Sequence, residues 1–250
     1  MNNFQVLAHR GLVSEFVPEN TLKAFADALH AGAHVIETDV QCTKDGVAII
    51  FHDDDLIRLV GIPKKISESS WKEISVIDIG FGKRIPSLEQ ALTDFPNARF
   101  NLDIKSKSAE APVAEVVNRL QAQKRVLISS FSDFRSKRTV KSIVGEVRSS
   151  AGSWRVLGLW LCFAIGATPL FSLLTRKVSA LQIPVSQFGL RFDSKRFIAL
   201  ALANKLEVHF WTINDVALVR KLKSLGATGV VTDNCDLVIA ALKNNSRHSL

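Results

Sequence analysis

Near the start of the chain, the stretch QVLAHRG (residues 5–11) runs from apolar side chains into a histidine, an arginine and a glycine. A short apolar run that ends at a turn residue is typical of a buried strand. Seven further stretches follow the same plan: HVIETDV (34–40), RFNLDIK (99–105), RVLISSF (125–131), EVRSS (146–150), SALQIPV (179–185), VHFWTI (208–213) and GVVTD (229–233). Eight such strands alternating with helices predict an α/β fold, the TIM (β/α)8 barrel.

Helical patterns lie between these strands. The stretch PENTLKAFADALHAGA (18–33) has Asn20 or Thr21 as its N-cap, an apolar stripe and Gly32 as its stop. The stretch NDVALVRKLKSLGA (214–227) has a similar pattern before the last strand. Both indicate amphipathic helices that pack on a parallel sheet.

The run VAIIFHD (47–53) predicts a ninth strand that is not part of the barrel. Only the turn TKDG (43–46) separates it from the second strand. A parallel crossover needs a dozen residues or more, so the run must pair antiparallel with the second strand as a hairpin arm. The segment 56–96 then predicts an insertion at the barrel mouth, followed by a helix in SLEQALTDF (87–95).

The size of the chain, 250 residues, suits one barrel, and no linker or repeat divides it. We therefore expect a single domain over residues 1–243 and a polar, disordered tail over 244–250. Three scattered cysteines argue against a disulfide framework and lack metal-ligand spacing. No secretory leader is visible, so the expected location is cytoplasmic. The oligomeric state is left open.

Charge is distributed unevenly. Residues 1–125 hold 15 Lys and Arg against 17 Asp and Glu, and residues 126–250 hold 17 against 7. The basic second half could attract phosphate or an anionic membrane, or it could be a solvated surface. The expected partner is a small molecule and not a nucleic acid.

Residues 156–174 carry no charge, and this length reaches the lower limit for a membrane span. The run contains glycine and proline, and the later strands must return to the same sheet. A buried helix pair is therefore expected. A helix that spans the membrane and a peripheral membrane patch are the alternatives.

The active site of a parallel barrel forms where its strands end. The residues expected there are His9 and Arg10, Glu37 and Asp39, His52 and Asp53, and Asp103 and Lys105. Glu37 and Asp39 are two apart and point to one face of their strand. With Asp103 they could bind Ca²⁺ or Mg²⁺, or each carboxylate could pair with a base such as Arg10 or Lys105.

His9 and His52 could each be structural if taken alone. Together, beside an arginine and a carboxylate cluster, they suit phosphodiester cleavage. One histidine takes a proton from the attacking oxygen and the other gives one to the leaving alkoxide. Arg10 and a cation would balance charge on the phosphoryl oxygens.

The motifs LAHRG, PENT, VIETDV, TKDG, FHD, IPSLEQAL, NLDIK, SSF, WTIN and GATGVVTD occur in an order and spacing that resembles the glycerophosphodiester phosphodiesterase family. The likeness covers residues 6–233 and is weakest over 146–183. It implies a metal-dependent TIM-barrel enzyme that releases sn-glycerol 3-phosphate and an alcohol. The implied roles are acid and base for His9 and His52, phosphate contacts for Arg10 and Lys105, metal ligands for Glu37, Asp39 and Asp103, and a wall near the glycerol for Trp211.

The resemblance also implies a two-step reaction through a cyclic phosphate, which needs a free 2-hydroxyl and so excludes diacyl phospholipids. Asp103 departs from the family pattern E-x-K, where a glutamate is usual. Three functions remain open. They are hydrolysis of a soluble glycerophosphodiester, lysophospholipase D-type hydrolysis of a lysophospholipid, and a non-catalytic barrel that binds phosphate or membranes. The complete set of site residues speaks against the last.

Overall fold

The computed structural model describes residues 4–247, and side chains as far as residue 244. The strands, in chain order, are β1 (Gln5–His9), β2 (Val35–Cys42), β3 (Ala48–Ile50), β4 (Asp55–Leu56), β5 (Ile62–Lys65), β6 (Phe100–Ile104), β7 (Val126–Ser129), β8 (Arg148–Ser149), β9 (Ala180–Ile183), β10 (Ser186–Gln187), β11 (Leu190–Arg191), β12 (Glu207–Phe210) and β13 (Gly229–Thr232).

The helices pack outside these strands. They are α1 (Leu22–Ala31), α2 (Ile57–Val60), α3 (Trp71–Ile74), α4 (Leu88–Asp94), α5 (Glu110–Arg119), α6 (Asp133–Ser142), α7 (Ser153–Ala164), α8 (Thr168–Leu174), α9 (Lys195–Ala203), α10 (Val216–Ser224) and α11 (Cys235–Arg247). Short 3₁₀ turns lie at Ile66–Glu68, Lys107–Ala109 and Gln123–Arg125.

Eight parallel strands form the barrel, in the order β8-β7-β6-β2-β1-β13-β12-β9. A parallel bridge between Ser150 and Ala180 joins the two ends of this order. The Ala151 amide donates to the Ala180 carbonyl across that seam, at 3.0 Å. The predicted TIM barrel is confirmed, and each of its eight strands lies within or beside the stretch that the sequence indicated.

Strand register brings the predicted site residues to one end of the barrel. His9 on β1 is paired with Glu37 on β2, and Asp39 on β2 is paired with Asp103 on β6. Alternate residues of β1 face opposite sides, so Val6 and Ala8 pack under the helices while Leu7 packs inside the barrel. The same alternation points His9 into the barrel mouth.

The first helix begins and ends as predicted. The Thr21 hydroxyl accepts the Ala24 amide at 3.2 Å, which makes Thr21 the N-cap. Gly32 ends the helix in the left-handed conformation. The position of Gly11, just after β1, also requires a glycine, because its φ is +89° and an added Cβ would lie 2.6 Å from the Ala24 Cβ. The close approach of α1 to the end of β1 therefore depends on this glycine.

The hairpin arm and the insertion are confirmed. Strand β3 pairs antiparallel with β2, and Val40 lies opposite Ile50. The insertion between β3 and α4 contains β4, α2, β5 and α3. It has a small apolar core of its own, formed by Ile49, Phe51, Leu56, Ile66, Ile74, Ile79 and Ile85. This core fixes the hairpin arm, and with it His52, beside the barrel.

The uncharged run forms the helix pair α7 and α8, as predicted, but the pair is only partly buried. Leu159 and Phe171 are in the core, whereas Leu161, Ile165, Leu170 and Leu173 are exposed. Over the described residues, every helix is too short or too polar to cross a bilayer. The predicted buried helix pair is thus buried only on the side that faces the barrel, because the uncharged run also covers the outward side of both helices.

The last helix reaches into the segment for which the sequence predicts a disordered tail. Helix α11 continues to Arg247 and so includes the first part of the segment 244–250. Residues 248–250 lie outside the described part of the chain.

Candidate functional site

A cavity of about 570 Å³ opens at the end of the barrel where the strands finish. Of the residues that the sequence predicted for the site, all but Asp53 line it: His9, Arg10, Glu37, Asp39, His52, Asp103, Lys105 and Trp211. They come from four barrel strands or the turns that follow them, and from the hairpin arm. The barrel thus brings together residues that are up to about 200 positions apart in the chain.

His9 is held by a carboxylate that was not predicted for the site from the sequence. Its Nδ1 lies 2.6 Å from Oδ1 of Asp233, just after β13, and the Asn214 amide donates to Oδ2 of Asp233 at 2.7 Å. Burial alone would lower the pKa of His9, but Asp233 and the charge of Glu37 outweigh it and raise that pKa. The ring is thereby fixed with Nε2 toward Glu37, 4.0 Å away.

His52 has an equivalent partner in its neighbour Asp53. The distance from Nδ1 of His52 to Oδ1 of Asp53 is 2.6 Å. Arg58 donates to the other oxygen of Asp53 at 2.6 Å and also binds Glu19. Burial would raise the pKa of Asp53, but Arg58 and His52 hold it below its usual range. Asp53 therefore stays ionised and orients the imidazole.

The carboxylates on β2 and β6 face two cations. Nζ of Lys105 lies 2.8 Å from Oδ1 of Asp39 and 2.7 Å from Oδ2 of Asp103. Nε of Arg10 lies 3.1 Å from Oδ2 of Asp39. Burial would raise the pKa of Asp39, but Lys105 and Arg10 outweigh it and lower that pKa. The salt bridges that the sequence allowed as one alternative are formed.

Glu37 is the carboxylate without a close cation in this arrangement. Its Oε2 accepts a hydrogen bond from the backbone N–H of Arg10 at 3.3 Å, and the Glu37 side chain is nearly inaccessible to solvent. Burial and the neighbouring charge of Asp39 raise the pKa of Glu37 to about 8. The charged form of Glu37 is repelled by the carboxylate of Asp39, and a divalent cation bound between them would relieve this repulsion.

The donor chemistry of Glu37, Asp39 and Asp103 suits a hard cation that prefers oxygen ligands. Among the described side chains, which run from residue 4 to residue 244, no three His, Cys, Asp or Glu are placed to enclose a metal ion, however. The reason is local, since Lys105 lies between Asp39 and Asp103. The residue types fit a divalent cation, while the side-chain positions are those of a salt-bridged cluster.

Asn20 and Glu19, from the motif PENT, are further residues of the site that were not predicted for it; Asn20 was expected only as a candidate N-cap. The Asn20 amide donates to Oδ2 of Asp39 at 3.0 Å, and its oxygen accepts the Thr38 hydroxyl at 2.7 Å. Glu19 accepts from Arg10 at 2.9 Å. Both orient residues of the site. The one available signal was that these polar residues lie in the connection from β1 to α1.

One wall of the cavity is apolar. It is formed by Phe131, Trp154, Leu157, Ile183, Phe188, Leu190, Phe192 and Trp211. The rings of Phe131 and Trp211 meet edge to face at 5.8 Å, and Nζ of Lys105 lies 5.9 Å from the Phe131 ring centre. The charged cluster and the apolar wall therefore meet at Lys105, so the cavity suits a ligand with one anionic and one less polar part.

Known proteins are similar over nearly the whole chain. The model of the glycerophosphoryl diester phosphodiesterase family matches residues 9–237. A probable glycerophosphodiester phosphodiesterase 2 of Mycobacterium tuberculosis is 34% identical over 232 residues, which are 93% of this chain and 88% of that protein. Lysophospholipase D GDPD1 of Homo sapiens is 26% identical over 91% of this chain and 82% of that protein.

A solved structure agrees with these matches. The phosphodiesterase of Oleispira antarctica, in complex with the product sn-glycerol-3-phosphate, superposes with a TM-score of 0.78. It is 25% identical, and the alignment covers 96% of each chain. Fold and sequence thus point to the same group of proteins.

Proposed function

The chain belongs to the glycerophosphoryl diester phosphodiesterase family and is an enzyme that hydrolyses glycerophosphodiesters; from this premise we propose that His9 and His52 transfer the protons of the reaction. The observation that carries the proposal is the matched environment of the two histidines. Each is held at Nδ1 by a carboxylate at 2.6 Å, Asp233 for His9 and Asp53 for His52, and both rings line one cavity.

One of the two histidines would act as the general base and the other as the general acid. One accepts the proton of the attacking hydroxyl at Nε2, and the other donates a proton to the alkoxide of the leaving alcohol. The carboxylate at Nδ1 keeps each ring in one tautomer and stabilises it when it is protonated. Arg10 and Lys105 line the same cavity and would balance charge on the phosphoryl oxygens.

The attacking group in the first step would be the 2-hydroxyl of the substrate's own glycerol, giving a cyclic phosphate that water then opens to sn-glycerol 3-phosphate. An intramolecular attack gains from effective molarities of about 10⁵ to 10⁸ M. Trp211 would pack on the glycerol. A diacyl phospholipid has no free 2-hydroxyl and would not react.

A divalent cation, Ca²⁺ or Mg²⁺, would be held by Glu37 with Asp39 and Asp103. When bound it would stabilise negative charge on the phosphate. The raised pKa of Glu37 supports this assignment, because a buried carboxyl beside another carboxylate is stabilised by a nearby cation. Arg10 and Lys105 would keep the remaining charge of the cluster balanced. Binding should raise the melting temperature of the protein, which can be measured without substrate.

The direct test incubates the purified protein with glycerophosphocholine and measures glycerol 3-phosphate. We expect release that EDTA abolishes and that His9→Ala or His52→Ala lowers by at least about 10²-fold. His30→Ala is the matched control, because His30 lies exposed on α1 away from the cavity. Undiminished turnover in either site variant would refute the proton-transfer roles.

A lysophospholipid is the second candidate substrate. The apolar wall around Trp154, Leu157 and Phe188 favours it, because an acyl chain could lie there while the phosphate lies at Arg10. The human relative's name, a lysophospholipase D, points the same way. Turnover of lysophosphatidylcholine but not of glycerophosphocholine would select this candidate.

The proposed location is cytoplasmic. All three cysteines are buried and unpaired, as expected in a reducing compartment. Recovery of the protein with the periplasmic or extracellular fraction would contradict this.

A further inference from the structure

The exposed aromatic side chains are confined to one end of the barrel. Among the described residues they are Phe16, Phe81, Phe131, Phe134, Trp154 and Phe188. Phe16 follows β1 and stacks edge to face on Phe81 of the insertion, with ring centres 5.2 Å apart. The other four follow β7, β8 and β9. All six therefore lie at the end of the barrel where the cavity opens.

Four of these residues form what we call the rim: Phe131, Phe134, Trp154 and Phe188. Their exposed fractions are 56%, 69%, 77% and 94%. Phe131, Trp154 and Phe188 also line the cavity, so the rim continues its apolar wall out to solvent. Large exposed aromatic groups at a cavity mouth cost free energy in water unless another apolar phase covers them.

The rim is also basic. Six Lys and Arg side chains, against two Asp, lie in the segments that carry or adjoin the rim. These segments are 106–109, 130–136, 150–156 and 184–196. Both aspartates are already paired, Asp133 with Arg155 and Asp193 with Arg191. Lys107, Lys195 and Arg196 are exposed and have no ion pair among the described residues. These three cations are available to external anions.

We propose that the rim docks on the surface of an anionic lipid bilayer. Aromatic rings and cations on one surface match the two layers of a membrane interface, acyl chains below and phosphates above. The exposed side of α7 and α8 is the competing apolar surface, but residues 156–174 contain no charge to meet the head groups. Docking by the rim also turns the cavity mouth toward the lipid.

The test measures sedimentation of the protein with vesicles of phosphatidylcholine, alone or with phosphatidylglycerol. We expect the partition constant to be about tenfold higher with the anionic lipid and to fall as salt is added. Lys107→Ala/Lys195→Ala/Arg196→Ala should lower it about tenfold or more, and Phe134→Ser about fivefold. None of these four residues lines the cavity, so turnover of a soluble substrate should stay unchanged.

The matched controls change similar residues elsewhere. Lys124→Ala/Arg176→Ala/Lys205→Ala removes three exposed cations from the connections that lead into β7, β9 and β12. Ile165→Ser removes an exposed apolar group, 77% accessible, between α7 and α8. Both controls should bind vesicles like the parent protein. Trp154 should shift its fluorescence to the blue on vesicle binding, and Trp154→Phe should remove that shift.

Several outcomes would overturn the proposal. They are equal binding to both kinds of vesicle, an equal loss in the control triple variant, or a loss in Ile165→Ser but not in Phe134→Ser. Dimerisation that the rim variants abolish would assign the rim to a second copy of the chain instead. Vesicle binding needs no turnover, so it can still be interpreted if the proposed catalytic roles fail. Likewise, the turnover assays can be interpreted if the protein does not bind vesicles.

Discussion

Asp233 and His9 are 224 residues apart in the chain and in hydrogen-bond contact in the fold, with Oδ1 2.6 Å from Nδ1. The contact exists because β13 and β1, the last and first barrel strands, are neighbours in the closed sheet. It places a carboxylate at Nδ1 of one of the two histidines that line the cavity, just as Asp53 lies at Nδ1 of the other.

Asp233→Asn should lower kcat about 10- to 100-fold with little change in KM, because Asp233 orients His9 and does not line the cavity. Asp233 raises the pKa of His9, so its loss should also move the limb of the pH profile that belongs to His9 to lower pH. Asp236→Asn, exposed on α11, is the control. An unmoved limb would show that Asp233 has only a structural role.

Cation affinity should depend on pH through Glu37. Its pKa of about 8 means that a proton competes with the cation below that pH. The dissociation constant for Ca²⁺ or Mg²⁺, measured by titration calorimetry, should rise about tenfold for each unit that pH falls below 8. Glu37→Gln should remove this dependence and weaken binding, whereas Glu115→Gln on the surface should change neither. Affinity independent of pH in the parent protein would argue against Glu37 as a ligand.

Acid stability should depend on Glu207, near the other end of the barrel. Its carboxylate lies 2.6 Å from Arg148 and 3.2 Å from His209. Burial would raise the pKa of Glu207, but His209 and Arg148 outweigh it and lower the pKa to about 2. The stabilisation is therefore present above the unfolded value of 4.5 and lost as pH falls toward 2.

Replacing this carboxylate tests that account. Glu207→Gln should lower the free energy of unfolding at pH 7 by about 2 kcal/mol and by much less at pH 2. Urea titrations at the two pH values measure the difference. A loss that is equal at both would mean that packing, and not charge, explains the effect.

Gly11→Ala should destabilise the fold by about 2 kcal/mol or more, because the new Cβ would meet Ala24 at 2.6 Å and the φ of +89° disfavours alanine. Gly46→Ala separates the two causes. Its φ is +84°, but nothing lies within 4 Å of the added Cβ, so only about 1 kcal/mol should be lost. Equal losses in thermal melts of the two variants would rule out the close contact as the cause.

Most of the architecture was predictable from the order of residues. The eight barrel strands, the start of α1 at Asn20 or Thr21, and the hairpin arm could be predicted from local periodicity, from capping chemistry and from the short turn TKDG. Six of the residues that line the cavity could be predicted as well, since all parallel strands of a barrel end at the same face. His52 followed from the hairpin arm, and Trp211 was indicated only by the resemblance to a known family.

The sequence pattern could not predict contacts that depend on distances between segments far apart in the chain. Whether Lys105 pairs with Asp39 and Asp103, and how Glu37 comes to lack a close cation, follows from the register of β2 and β6. The partial exposure of α7 and α8 follows from how they pack on the barrel.

Residue order thus settled which side chains stand at the strand ends, because side-chain alternation along a strand is a property of the strand itself. Closure of the barrel settled which of them touch. It placed Asp233 behind His9 and gathered four aromatic side chains from separate loops into one rim. Such contacts form only when loops distant in the chain are fixed at the same end of one closed sheet.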